Sequence, residues 1–158
     1  MSFRKNQIIQ DRHRTPGYLY LIEKGIARHF YKRETKEYTS WFSKESDFMA
    51  NSGFFSQKPV HEIIIALEDM DTYALSYVDF EKFCQQSHKI ERFVRLSLVD
   101  QLFLLNQYIA ETFLLSATQR YEKFLQQFPD IILRIPLIYV ANLLGMSPET
   151  LSRVRAQK

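Results

Sequence analysis

The sequence predicts an α+β chain: an N-terminal antiparallel β barrel or jelly roll, a long dimerisation helix, and a C-terminal helix-turn-helix domain. Three observations carry this reading. Before Val78, short runs of β-branched and aromatic residues alternate with turn residues, the pattern of an antiparallel barrel or sandwich. From Lys89 to Ser116 the apolar residues recur at helical spacing. Near the end, two short helix-periodic segments flank Gly145-Met146-Ser147-Pro148. The boundaries follow as residues 1–88, 89–116 and 117–158.

The β elements come in order. Residues 1–14 are polar and basic, with Ile8-Ile9 as a short strand. Thr15-Pro16-Gly17 is a turn signal. Tyr18 to Ile22 suits a pleated surface. Glu23-Lys24-Gly25 is a tight turn, with Gly25 supplying a positive φ, and Ile26 to Tyr31 is the returning strand. Lys32 to Lys36 is a charged tip. Glu37 to Ser43 sets Tyr38, Ser40 and Phe42 on one face against Thr39, Trp41 and Ser43 on the other. Asp47 to Gly53, running on to Phe54 and Phe55, is irregular. Glu62 to Leu67 is a strand, Glu68 to Asp71 an acidic turn, and Thr72 to Tyr77 the last strand. Asp79 then caps a short helix, Phe80 to Gln86.

The long helix is about 42 Å at 1.5 Å per residue. Its apolar positions include Phe93, Leu96, Leu98, Val99, Leu102, Phe103, Leu105, Ile109, Phe113, Leu114 and Leu115. That is too many for one stripe, so the helix needs two partners. One is the barrel of its own chain and the other the same helix of a second copy, which makes a parallel homodimer. A further helix, Thr118 to Gln127, stops at Phe128-Pro129. Asp130 to Ile135 is a link or short strand, and Pro136 opens the next helix.

That helix places Leu137, Val140, Ala141 and Leu144 inward and stops at Gly145. Ser147 is the N-cap of the following helix, with Pro148 at its first position and Glu149 in its first turn. Leu151 and Val154 face inward, leaving Glu149, Thr150, Ser152, Arg153 and Arg155 outside. Two helices about such a turn form a helix-turn-helix, whose second helix enters the major groove in DNA readers. Arg, Ser and Thr are also the residue types that reach phosphates and base edges.

Charge supports a polyanionic partner for this end. Residues 1–118 hold 15 Lys/Arg and 15 Asp/Glu, which cancel, so the net charge of +3 comes from residues 119–158. Hydrophobic content of 46% supports a real core and argues against disorder. The single cysteine, Cys84, excludes an internal disulfide and a thiolate cluster. His13, His29, His61 and His88 are scattered and form no metal-binding spacing. No nucleophile elbow or phosphate-binding glycine loop is present. The chain is therefore read as a non-enzyme without cofactor or metal. Without a signal peptide or apolar span it is expected in the cytoplasm, away from membranes.

The order of elements, and two motifs, resemble the Crp/Fnr family of bacterial transcription regulators. Tyr18-Leu19-Tyr20-Leu21-Ile22-Glu23-Lys24-Gly25-Ile26-Ala27-Arg28 is similar to that family's strand–Gly–strand signature. Gly145-Met146-Ser147-Pro148-Glu149-Thr150-Leu151-Ser152-Arg153 is similar to its recognition-helix motif, Gly-x-Ser-x-Glu-Thr-x-x-Arg. The resemblance implies base contacts for Glu149 and Arg153 and backbone contacts near Thr150 and Ser152. Ser147, Arg155 and Lys158 complete the expected DNA-binding set. In a two-fold homodimer the two reading helices would enter successive major grooves of double-stranded DNA, so an inverted-repeat site is expected. The chain enters almost at the barrel and ends at the reading helix, like the short, wingless members.

The family's cyclic-nucleotide members hold their ligand in a Gly-Glu-Leu … Arg-Ser/Thr cassette. Here Asn51 falls at the Glu position, His61 at the Arg position and Glu62 where a hydroxyl residue is usual. An imidazole does not replace a guanidinium fork on a phosphate, and a carboxylate repels one. The resemblance thus implies a degenerate effector pocket, a response to something other than cyclic AMP, and an unknown small-molecule effector or none. His61 as a haem ligand is set aside in favour of a structural role. The competing reading is a dimeric effector-binding or regulatory protein that has lost DNA binding.

Overall fold

The structure is a computed structural model and describes residues 1–156. The chain divides into two compact units, Met1–Ser87 and a second that begins at His88.

The first unit has eight strands: β1 (Ser2–Phe3), β2 (Ile8–Gln10), β3 (Tyr18–Lys24), β4 (Ala27–Arg33), β5 (Lys36–Ser43), β6 (Phe48–Met49), β7 (Glu62–Ala66) and β8 (Met70–Ser76). They form two antiparallel four-stranded sheets, ordered β1-β8-β3-β6 and β2-β7-β4-β5. Each sheet keeps two edge strands, so the expected antiparallel β domain is present as an open two-sheet sandwich, as in a jelly roll, and not as a closed barrel. Ile22, Ala27, Met49, Ile64, Ala66 and Met70 form its buried core, with Phe3, Ile9 and Tyr20 packed against them. Gly25 makes the β3–β4 turn at φ +104, and a Cβ there would lie 2.5 Å from Met70 Cγ.

Four local expectations are corrected. Strand β5 does not keep one alternation: the register passes from His29↔Trp41 to Phe30↔Thr39, which leaves Ser40 as a bulge. A bulge resets the pleat, so Tyr38 is exposed while Phe42 and Thr39 are both buried. The acidic turn before β8 is shorter than expected, because Ser2 and Phe3 pair with Asp71 and Met70 and draw them into the sheet. The stretch expected to be irregular contains β6 and a short helix α1 (Ser52–Ser56), whose N-cap Asn51 accepts from Gly53 N–H. The helix α2 (Tyr77–Gln86) starts earlier than expected, because Ser76 and not Asp79 is its cap. Phe54 of α1 meets Tyr77 and Phe80 edge-on, with ring centroids 5.5 and 5.2 Å apart.

The second unit is helical: α3 (His88–Leu114), α4 (Ala117–Gln127), α5 (Leu137–Leu143) and α6 (Pro148–Ala156). None of the 27 residues of α3 is buried. Ser116 starts α4 with a reciprocal capping box to Gln119. The link after Phe128 is a single 3-10 turn, Ile131–Leu133, and not a strand; it is pinned by the fully buried Ile131. Helix α6 packs on both α4 and α5, and Tyr121, Phe124, Val140, Ala141, Leu143, Leu144, Leu151 and Val154 are buried.

Candidate nucleic-acid interface

The turn between α5 and α6 follows from local chemistry. Gly145 lies at φ +63 in the left-handed region, where a side chain is strained. Met146 N–H donates to Ala141 O at 3.0 Å and Gly145 N–H to Asn142 O at 3.2 Å. These two bonds are the Schellman pattern that ends a helix. The Ser147 hydroxyl oxygen then accepts Thr150 N–H at 3.2 Å, as expected of the cap.

Helix α6 is two-sided. Leu151 and Val154 are buried at 1% and 5% exposure, which fixes its rotation. Ser147, Glu149, Ser152, Arg153 and Arg155 are exposed, and Thr150 is half-buried. Arg153 Nη2 lies 3.4 Å from Thr150 Oγ1, one turn back. The Glu149 carboxyl is held below its ordinary value by the Ser147 hydroxyl first, then by its own backbone N–H and by Arg153. The face thus offers an ionised acceptor, a guanidinium fork and three hydroxyls. Such a set can address base edges and phosphate oxygens together. Lys158, also expected at this face, lies outside the described residues.

The three residues expected in the effector pocket are not brought together by a hydrogen bond or ion pair among the described residues. Asn51 is buried as the α1 cap, and its Nδ2 is a buried donor that no protein acceptor reaches. His61 is exposed. Glu62 sits on β7 opposite Tyr31. There Ser40 Oγ donates to Glu62 Oε1 at 2.7 Å, and His29 Nδ1 lies 3.5 Å from Glu62 Oε2. Burial pushes the Glu62 carboxyl up, but His29 and Ser40 together outweigh it and hold the group below its ordinary value. His29 Nε2 reaches Ser43 Oγ at 3.0 Å, so Ser43, His29, Glu62 and Ser40 form one polar string.

Nothing in the sequence marks His29 as a partner of Glu62. Arg28 is likewise unmarked, yet it is only 2% exposed. Its guanidinium meets Glu37 at 2.6 Å and Thr39 at 2.9 Å and lies 4.5 Å from the centre of the Phe30 ring. Nothing in the spacing of Arg28 distinguishes it from a solvated strand residue. Among the described residues, no group of three or more His, Cys, Asp or Glu is placed to hold a metal. None of their helices is long and apolar enough to cross a membrane.

Residues 1–87 match the family model of the cyclic nucleotide-binding domain. No curated protein sequence matches the chain. Among solved structures, FixK2 from Bradyrhizobium japonicum superposes with a TM-score of 0.87 at 18% identity, over 99% of this chain and 82% of that one. A CooA variant from Carboxydothermus hydrogenoformans gives 0.78 at 19% identity, over 99% and 74%. The c-di-GMP-responsive global regulator CLP of Xanthomonas campestris gives 0.76 at 16% identity, over 99% and 84%. At these identities the likeness establishes the fold.

Proposed function

The chain belongs to the cyclic nucleotide-binding domain family, and from that membership and its Crp/Fnr-type fold we propose that it is a dimeric, DNA-binding transcription regulator. The observation that carries the reading is α6. Its inner side is anchored by Leu151 and Val154, its start is fixed by the Gly145 turn and the Ser147 cap, and its outer side presents Glu149, Ser152 and Arg153. Arg153 is the main base reader, since its fork matches guanine O6 and N7, and Glu149 can accept from a cytosine amino group. Ser147, Thr150, Ser152, Arg155 and Lys158 serve the sugar–phosphate backbone.

The partner across the two-fold axis is a second copy. On α3, Leu98, Leu102, Leu105 and Ile109 are spaced four, three and four apart, and each is more than 40% exposed. That spacing is a coiled-coil seam. With two reading helices about 34 Å apart, the site is an inverted repeat with half-site centres about 10 base pairs apart.

The β unit senses a ligand other than cyclic AMP, or none. Glu62 is ionised and tied to His29 and Ser40, and Asn51 is spent on capping α1. This supports a pocket that no longer favours a cyclic phosphate. The division of labour is residues 1–88 for sensing, 89–116 for dimerisation and 117–158 for DNA. Selection of bound sequences from random double-stranded DNA tests the reading. Enrichment of an inverted repeat is the expected result. A purified dimer that enriches nothing at low salt would leave a regulatory protein without DNA binding as the correct description.

A further inference from the structure

An α-helix leaves its last four carbonyls without intrahelical partners. In α5 the Schellman bonds satisfy two of them, at Ala141 and Asn142. The next two are taken from outside. Leu143 O accepts from the hydroxyl of Tyr108 on α3, and Leu144 O accepts from Arg120 Nε on α4 at 3.0 Å.

Arg120 does more with its other arm. Its Nη1 reaches Leu115 O at 2.8 Å and Thr112 O at 3.3 Å, both at the end of α3. One guanidinium therefore ties the C-terminal ends of α3 and α5. A cation at two helix C-termini is favoured by both dipoles, and a planar guanidinium fork meets carbonyls on two helices with its donors already pre-organised. Lys123, one turn along α4, pairs with Glu111 of α3 and holds the same corner. Burial pushes the Tyr108 phenol up, against a smaller opposite pull from Arg120, so the hydroxyl remains a donor at neutral pH.

Resting on the reading of α6 as a DNA reader, we propose that Arg120, assisted by Tyr108, is a positioning residue for DNA recognition. It touches no base. It fixes the last turn of α5 against the end of α3, and through the rigid Gly145–Ser147 turn it sets the direction of α6. In a dimer joined along α3, that direction determines the separation of the two reading helices, and hence which half-site spacing the protein accepts.

Two measurements on the full chain test this. The first needs no DNA. In a Cys84→Ser background, nitroxides placed at Asp100→Cys and Ser152→Cys report the distance from α3 to α6 within one chain, with labelled protein diluted into unlabelled protein. A narrow distribution is expected, broadened in Arg120→Gln and, more mildly, in Tyr108→Phe and Arg120→Lys. Tyr108→Phe removes one hydroxyl only, so it remains informative if Arg120→Gln fails to fold. Unchanged widths in folded Arg120→Gln and Tyr108→Phe would overturn the proposal. The second uses selected sites with the spacer one base pair longer or shorter. Wild type is expected to lose about tenfold or more on these, and Arg120→Gln to lose about threefold or less, on the scale of a mismatched site. An equal penalty in both proteins would also overturn it. If wild type binds no selected DNA, the function proposed above fails, and the distance measurement alone decides whether Arg120 positions α6.

Discussion

The Ser147 hydroxyl oxygen accepts the backbone N–H of Thr150 at 3.2 Å, two residues after Gly145 has turned the chain at φ +63. The two features act together: the glycine ends one helix without strain and the serine starts the next. Ser147→Ala is expected to cost about 1 kcal/mol, the usual value of an N-cap. Gly145→Ala meets no neighbouring atom within 4 Å, so its cost is conformational, about 1–2 kcal/mol. Gly17→Ala is the control, since Gly17 has neither a positive φ nor a close neighbour. Denaturant midpoints followed by far-UV circular dichroism check the order Gly17→Ala, Ser147→Ala, Gly145→Ala.

Arg153→Ala is expected to cost roughly 1–3 kcal/mol on the selected site and to flatten the preference at one base pair per half-site. Arg155→Ala is expected to weaken selected and scrambled DNA alike and to lower the salt slope by about one. Paired binding curves at several salt concentrations separate the two behaviours. Equal weakening of both DNAs by Arg153→Ala would make it a phosphate contact.

Leu102 is 58% and Ile109 48% exposed on the same stripe of α3. A charge at either position, Leu102→Glu or Ile109→Glu, is expected to yield monomers or aggregates, because an unpaired carboxylate in a coiled-coil seam is costly. Light scattering reads this directly. A well-behaved wild-type monomer at micromolar concentration would contradict the dimer.

Cyclic AMP is expected to give no saturable heat in calorimetry at neutral pH, with Asn51 capping α1 and Glu62 placing a negative charge beside His29. Micromolar binding abolished by His61→Ala would reverse this reading of the pocket.

The depressed Glu62 carboxyl links the β unit to pH. Between its folded value and the higher unfolded one, the unfolded chain binds more protons, so stability rises with pH there. The contribution is complete above the unfolded value of about 4.3 and is lost as pH falls through the folded value. Glu62→Gln is expected to remove this part of the acid dependence and to cost about 1.5–3 kcal/mol at neutral pH, the range for a hydrogen bond to a charged group. Urea midpoints between acid and neutral pH check both, and an unchanged acid slope would contradict the assignment.

What the sequence determined by itself is whatever is written within about one helical turn. The Gly145 turn, the Ser147 cap and the inward Leu151 and Val154 all depend on neighbours three or four residues away, and each was legible from spacing. The Ser116–Gln119 capping box was equally local and could have been read from its Ser-x-x-Gln pattern. Tertiary structure decided the rest. The Ser40 bulge depends on how β5 pairs with β4. Arg28 meets Thr39, 11 residues away; Arg120 meets Leu144 at a separation of 24, and Tyr108 meets Leu143 at 35. A carbonyl looks the same at every position of a sequence. Which side chain satisfies it is settled only when distant helices bring a donor within about 3 Å of it.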